Sequence, residues 1–216
     1  MGLAGVLLIA YLIGAIPSAV IAGKLFKGID VRKHGSGNVG GTNAWRVLGW
    51  KGGVPVSIVD VGKGAVAATL IPRLPFGPFP VDPTILPILC GLAAVIGHVF
   101  PIYIGFRGGK GVAPGAGMLA AIAPIPVGMA AGVFAIALFS TGWVSLGSLL
   151  AALTVPLTIV LLNAYAAVQY PTLLLGLTAA LAAFIWFTHR GNIVRIIHRN
   201  ERRFPRLQIW RRFLRR

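Results

Sequence analysis

Predominantly apolar runs of roughly 20 residues, the length a helix needs to cross a hydrocarbon core of roughly 30 Å, occupy 3–23, 53–72, 84–104 and 169–188 of the chain. A longer apolar stretch, 112–163, is interrupted by Pro124, Pro126, Gly142 and Pro156, so it holds either two long spans or three shorter ones. The basic residues decide between them. Six of the 20 Lys and Arg fall between Lys24 and Lys51, Lys63 lies just inside the second run, Arg107 and Lys110 follow the third, and ten lie from Arg190 onward, leaving Arg73 by itself. Two spans in 112–163 would place the arginine-rich end opposite the other basic loops. Three spans, near 112–125, 127–141 and 144–163, place 19 of the 20 basic residues on one side, in keeping with the positive-inside bias. The pattern predicts an all-α polytopic integral membrane protein of seven transmembrane helices, N-terminus outside and C-terminus inside. The fourth and fifth helices are short for the core, which suggests tilted or partly re-entrant helices around a cavity. With no internal repeat, one domain over 1–203 and a basic extension over 204–216 are the expected organisation. The first run has no basic residues ahead of it and reads as a retained helix, not a cleaved signal.

Composition strengthens this picture. Of 216 residues, 56% are hydrophobic and only 11% charged, too few charges to cover a water-soluble globule, so lipid is the main solvent. The net charge of +16 raises the question of nucleic acid, but the positive residues sit in blocks between apolar runs instead of on one soluble face, and a nucleic-acid partner is not expected. The end of the chain, with Arg202, Arg203, Arg211 and Arg212 among Phe204, Trp210 and Phe213, suits a segment lying on anionic lipid. The four acids are Asp30, Asp60, Asp82 and Glu201, and the lone Cys90 forms no disulfide within one chain. Few carboxylates and scattered histidines leave metal dependence unsupported, and no metal or cofactor is expected.

Three polar clusters fall on the expected inner side. In the first, 34–46, Gly35, Gly37, Gly40 and Gly41 allow tight turns that aim successive backbone N–H groups at one anion. Ser36, Asn38, Thr42 and Asn43 add neutral donors and Arg46 a bidentate one. The same residues would serve an ordinary loop with a positive-inside arginine, and composition does not separate the two readings. In the second, 97–112, Gly108, Gly109 and Gly111 surround Lys110 immediately before a helix, an arrangement that joins free N–H groups, a helix terminus and an ammonium at one anion. It lacks the Walker A spacing, and Val112 offers no hydroxyl to a metal, so a nucleotide is disfavoured. His98 lies near membrane depth, where it is either a functional group or a hydrogen-bonded helix clamp. The third cluster, 189–195, contains His189, Asn192 and Arg195; basic anchoring explains the arginine but not the asparagine. Asp60 and Lys63, spaced i, i+3 in an apolar helix, are expected to form a structural pair. Ser145 and Ser148 either complete a pocket or bond back to a helix carbonyl.

The absence of a Gly-x-Ser-x-Gly elbow, and of any acid placed for a Ser-His-Asp triad, argues against a serine acyl-enzyme. Two phosphate-type loops imply two phosphorylated ligands, or one with two anionic groups. A transporter or channel for a phosphorylated anion is the rival class, since broken helices and glycine-rich termini also build anion pathways; all the polar clusters lying at one face count against it.

Ser36-Gly-Asn-Val-Gly-Gly-Thr-Asn-Ala-Trp-Arg46, Gly97-His-Val-Phe-Pro with Phe106-Arg-Gly-Gly-Lys-Gly-Val-Ala113, and His189-Arg-Gly-Asn-Ile-Val-Arg195 with Glu201 resemble the three motifs of the bacterial acyl-phosphate:glycerol-3-phosphate acyltransferases, the PlsY family. The resemblance runs to about residue 203. It departs at Pro114, Gly142 and Asn200, where the family usually has threonine, arginine and glycine. It implies a cytoplasmic-membrane enzyme that moves a fatty acyl group from acyl-phosphate to glycerol 3-phosphate, with its active site facing the cytoplasm, an acyl-phosphate-producing enzyme as functional partner, and membrane lipids around it. On this reading Ser36, His98 and Lys110 carry the catalysis. The loop of Gly108, Gly109 and Gly111 with Lys110 and Ser36 takes the donor phosphate, while Asn38, Arg46, Ser145 and Asn192 take glycerol 3-phosphate, with Thr42, Asn43 and His189 also in contact with substrate. Acyl-phosphate is already activated, so positioning and charge neutralisation suffice. The hydroxyl proton goes to His98 or, preferably, to a substrate phosphate oxygen.

Overall fold

The computed structural model describes residues 2–76, 79, 81–166 and 168–208, and within them all regular structure is helical. The first apolar run breaks at Pro17, which lacks the N–H to continue a helix. It yields α1 (Leu3–Ala15) and α2 (Ser18–Lys27), the latter closed by Gly28 in the left-handed region. Next come α3 (Gly41–Leu48), α4 (Trp50–Thr69), α5 (Leu86–Val99) and α6 (Val112–Ile122), then α7 (Pro124–Thr141), α8 (Val144–Tyr165), α9 (Thr172–Thr188) and α10 (Arg190–Ile197). The helix expected over 53–72 begins earlier, at Trp50. Gly52 and Gly53 belong to it because the side chains of Leu48 and Trp45 occupy the space their Cβ atoms would need, so these glycines serve helix packing. At its other end Pro72 opens a 3-10 turn.

Five helical stretches among the described residues are long and apolar enough to cross a membrane: Leu3–Lys27, Trp50–Arg73, Leu86–Ile104, Pro124–Thr141 and Val144–Tyr165. A sixth is added if α9 and α10, bent by 62° at His189, count as one. The shortfall from the seven expected lies at α6. Its 11 residues rise about 17 Å at roughly 1.5 Å each, little more than half of the hydrocarbon thickness.

The chain divides into two compact units, Met1–Ala123 and Pro124–Arg216. In the first, α1 packs on α5 and α4 on α6 with backbones almost touching. A Cβ on Gly14 would strike the Ala94 carbonyl and one on Gly97 the Tyr11 carbonyl; Gly64 and Gly117 stand in the same relation to Pro114 and Val61. Each seam thus carries a glycine from both helices, the small-residue packing by which helices associate in lipid. Buried Val6, Ala10, Ala67, Cys90 and Ala94 fill one core, and Val31, Val39, Ala44 and Leu48 fill another beneath the first polar loop. In the second unit α8 packs on α7 and α9, and the Trp186 indole donates to the Leu149 carbonyl (3.2 Å).

Beyond α10 the chain does not run free along a surface as far as it is described. The Phe204 N–H bonds the Gly142 carbonyl (2.9 Å), the Arg203 guanidinium lies 4.4 Å from the Trp143 ring centre, and the buried Gln208 amide donates to the Thr141 carbonyl (2.5 Å). Residues 201–208 are therefore tied to the α7–α8 corner. The arginine-rich end with Trp210, Arg211, Arg212 and Phe213 lies outside the described residues.

Candidate functional site

The first unit brings the two expected phosphate loops together. Val31 and Val39 anchor the first loop in the core, and Asp30 starts it. Its carboxylate accepts from the Arg32 guanidinium (2.7 and 3.1 Å) and backbone N–H (3.0 Å). These bonds hold the Asp30 carboxyl at about 2. Gly35 and Gly37 take left-handed conformations, φ +63° and +75°. The turn closes on Asn43, whose Oδ1 accepts from the Ser36 N–H (2.8 Å) while its Nδ2 donates to the carbonyls of Val31 and His34 (3.1 Å each). Asn43 was expected among the donors to substrate. It is instead almost fully buried, and its amide is committed to holding the loop. Ser36 is exposed, and Thr42, on the first turn of α3, and Arg46, on its last, are half-buried.

The second loop folds back on the end of α5. Gly108 N–H bonds the Val99 carbonyl (3.0 Å) and Gly109 N–H the His98 carbonyl (2.9 Å). Both glycines are required by close approach, since a Cβ on Gly108 would strike the His98 carbonyl and one on Gly109 the imidazole Nε2. Gly111, at φ +84°, then opens α6 without a side-chain cap, which leaves first-turn N–H groups for an anion beside half-buried Lys110. Asn38 joins the loops. Its Oδ1 accepts from the Gly40 N–H (2.9 Å) and its Nδ2 donates to the Gly108 carbonyl (3.3 Å).

Behind this platform lies a buried polar network. The expected Asp60–Lys63 pair is formed, with Nζ 2.8 Å from Oδ1, and the network extends further. The Ser18 hydroxyl donates to the same oxygen (2.5 Å), Lys63 Nζ also donates to the Ile16 carbonyl (2.9 Å), and it lies 3.3 Å from His98 Nδ1. Ser18 and Ile16 escaped the sequence reading. The available signal was Pro17, because a helix broken in lipid exposes carbonyls that must find donors.

In the second unit the organising residue is Glu201, which the sequence reading placed in a motif but not among the site residues. Its Oε1 accepts from Ser145 Oγ (3.0 Å) and Asn192 Nδ2 (2.7 Å), its Oε2 accepts from Arg195 Nε (2.7 Å), and its carbonyl accepts from the Trp143 indole (3.2 Å). Burial by itself would raise the carboxyl, but the bonds from Asn192, Arg195 and Ser145 outweigh it and hold Glu201 below the ordinary carboxylate value. Ser148 bonds back to the Val144 carbonyl (3.0 Å), whereas Ser145 reaches Glu201. His189 is buried, and its Nδ1 donates to the Ile185 carbonyl (2.8 Å). Among the described residues no three His, Cys, Asp or Glu side chains gather as a metal site would need.

The first unit's arrangement can bind phosphate and neutralise charge through backbone N–H groups, Arg46 and Lys110; the serine bonded to a carboxylate there, Ser18 on Asp60, is buried behind the loops. The family model described as "Glycerol-3-phosphate acyltransferase" matches residues 4–199. The chain is 43% identical over 221 residues to the glycerol-3-phosphate acyltransferases of Chlorobaculum parvum and Chlorobaculum tepidum, covering 92% of this chain and 94% of each relative. Among solved structures it is similar to PlsY (YgiH), an integral membrane glycerol 3-phosphate acyltransferase. The glycerol 3-phosphate form matches with TM-score 0.80 at 34% identity, over 95% of this chain and 96% of that one. The lysophosphatidic acid form matches with TM-score 0.80 at 32% identity, over 96% and 98%.

Proposed function

The chain belongs to the glycerol-3-phosphate acyltransferase family, and on that premise we propose that it transfers a fatty acyl group from acyl-phosphate to the 1-hydroxyl of glycerol 3-phosphate. The observation that carries this reading is the pair of glycine loops joined by the Asn38–Gly108 bond, with Arg46 and Lys110 on them. Two phosphate-binding elements held edge to edge suit a reaction whose two substrates each carry a phosphate. The uncapped start of α6 with Gly111, Lys110 and Ser36 receives the donor phosphate, Gly108 and Gly109 shaping that loop with their N–H groups on the Val99 and His98 carbonyls, and Asn38, Thr42 and Arg46 receive the acceptor's. The hydroxyl oxygen forms a bond to the acyl carbon, the bond from that carbon to the phosphate oxygen breaks, and inorganic phosphate leaves with the electron pair. The hydroxyl proton passes to a phosphate oxygen, so no acyl-enzyme is needed and lysophosphatidic acid is the product. In the second unit Glu201 orders Ser145 and Asn192 and the Ile185 carbonyl holds His189; these three are further candidates for contact with substrate.

The charge asymmetry supports the cytoplasmic membrane as location, with seven crossings, α6 as a half-length one, the N-terminus outside and the polar loops at the cytoplasmic face. Acyl-phosphate then arrives from the inner leaflet, supplied by an enzyme that makes it. The test is phosphate release from palmitoyl-phosphate by protein in lipid cubic phase, with and without glycerol 3-phosphate, beside Lys110→Ala and Arg46→Ala. Release that needs glycerol 3-phosphate, yields lysophosphatidic acid and falls at least on the order of a hundredfold in both variants supports the reading. Folded protein that binds glycerol 3-phosphate without release sinks it and favours transport.

A further inference from the structure

The buried network behind the glycine loops does more than neutralise Asp60. An ammonium has three hydrogens and no acceptor, and Lys63 Nζ has three partners in reach: Asp60 Oδ1 at 2.8 Å, the Ile16 carbonyl at 2.9 Å and His98 Nδ1 at 3.3 Å. The first two accept only, so the third hydrogen falls to Nδ1, which must present its lone pair. Asp60 Oδ1 is 3.8 Å from Nδ1, too far to draw a proton onto that nitrogen instead. The ring proton is thereby assigned to Nε2, the atom that stands against Gly109. The opposite tautomer is built into His189 and His198, whose Nδ1 atoms donate to the carbonyls of Ile185 (2.8 Å) and Val194 (2.9 Å).

We propose that Lys63, held by Asp60, Ser18 and the helix break at Ile16, is a positioning residue that locks His98 with its Nε2–H toward the Gly108–Gly111 anion loop. His98 so held is a fixed hydrogen-bond donor on the loop's inner side and has no lone pair there with which to act as a base. This deepens the acyltransferase reading and rests on it for the identity of the anion, but not for the tautomer. A purely mechanical function, Lys63 capping the carbonyl freed at Pro17, predicts the Ile16 bond and nothing about the imidazole.

The test uses the full chain in lipid with its four histidines labelled with nitrogen-15 in the ring, the His98 signals being identified by their loss in His98→Gln. Wild type is expected to show His98 as a single neutral tautomer protonated at Nε2. In the double variant Asp60→Asn/Lys63→Met, which removes the ammonium without leaving a buried carboxylate unpaired, both tautomers are expected. There kcat falls on the order of tenfold to a hundredfold with KM for glycerol 3-phosphate little changed. A proton on Nδ1 in wild type overturns the proposal, as does a double variant that keeps both the Nε2–H tautomer and wild-type kcat. Where the double variant fails to fold, the wild-type spectrum still decides. A wild type with the Nε2–H tautomer but no acyl transfer refutes the enzymatic reading and leaves the tautomer standing.

Discussion

Replacing Asn43 separates a loop scaffold from a substrate ligand. In Asn43→Ala the Ser36 N–H loses its acceptor and the carbonyls of Val31 and His34 lose a shared donor group. Three hydrogen bonds at about 1 kcal/mol each, less what water recovers at the exposed rim of the loop, give a loss of roughly 2–3 kcal/mol. Asn43→Asp keeps an oxygen for Ser36 but turns a second oxygen, in place of the amide nitrogen, toward two carbonyls. It leaves a buried charge facing lone pairs and is expected to be the worse variant despite its closer shape. Thermal unfolding in a fixed detergent measures the stabilities, and the alanine change is expected to lower the midpoint by roughly 5–10 °C. Acyl transfer at varied glycerol 3-phosphate measures the other side, and a loosened loop lowers kcat as well as raising KM. An alanine variant of wild-type stability that changes KM alone, with aspartate no worse, would refute the scaffold role and return Asn43 to the substrate.

Gly109→Ala drives a methyl into the His98 ring and should cost at least on the order of 1–3 kcal/mol with a large loss of kcat; Gly62→Ala in α4, where a Cβ meets nothing within 4 Å, should leave both unchanged in the same assays. Glu201→Gln tests the second unit through pH. Because its folded carboxyl sits below the ordinary value of 4.5, its contribution is complete above that value and is lost as pH falls through the lower, folded one. Unfolding of wild type should therefore steepen with acid below about 4.5 and that of Glu201→Gln should be flatter there. Gly117→Leu should separate α4 from α6, since even a Cβ there meets the Val61 carbonyl, and should abolish folding, which expression and size-exclusion profiles will show.

The helical class and most of the spans were legible because lipid writes itself into a sequence as uninterrupted apolar length, and the loops were legible as tight turns because clustered glycines interrupt that length. Boundaries failed where glycine meant something else. Gly52 lies outside the run expected over 53–72 and Gly53 at its edge, yet both belong to α4 and let Trp45 and Leu48 lie on it. The short length of α6 is expected from the sequence, but its end falls at Ile122 and not at 125, because apolar residues continue past Ile122 into α7 and only Ala123 and Pro124 mark the break.

What the sequence could not show is which polar groups use each other up. Donor counts by residue type made Asn43 and Asn192 equivalent candidates for substrate, but they do not show which donors already have a buried acceptor. Asn43 faces Val31 and His34, and Asn192 faces a glutamate nine positions on. His98 posed the same difficulty in another form, since a clamp and a base differ only in which nitrogen is bonded. That choice was made by Lys63, 35 positions earlier and on another helix. Lys63 in turn donates to the Ile16 carbonyl, which the break at Pro17 takes out of the helical ladder and which otherwise accepts from the Ser18 N–H (3.0 Å). A proline in the first span thus reaches the phosphate loop through one carbonyl, one ammonium and one imidazole. Each step follows the preference of buried polar groups for partners, and each is visible only once the helices are packed.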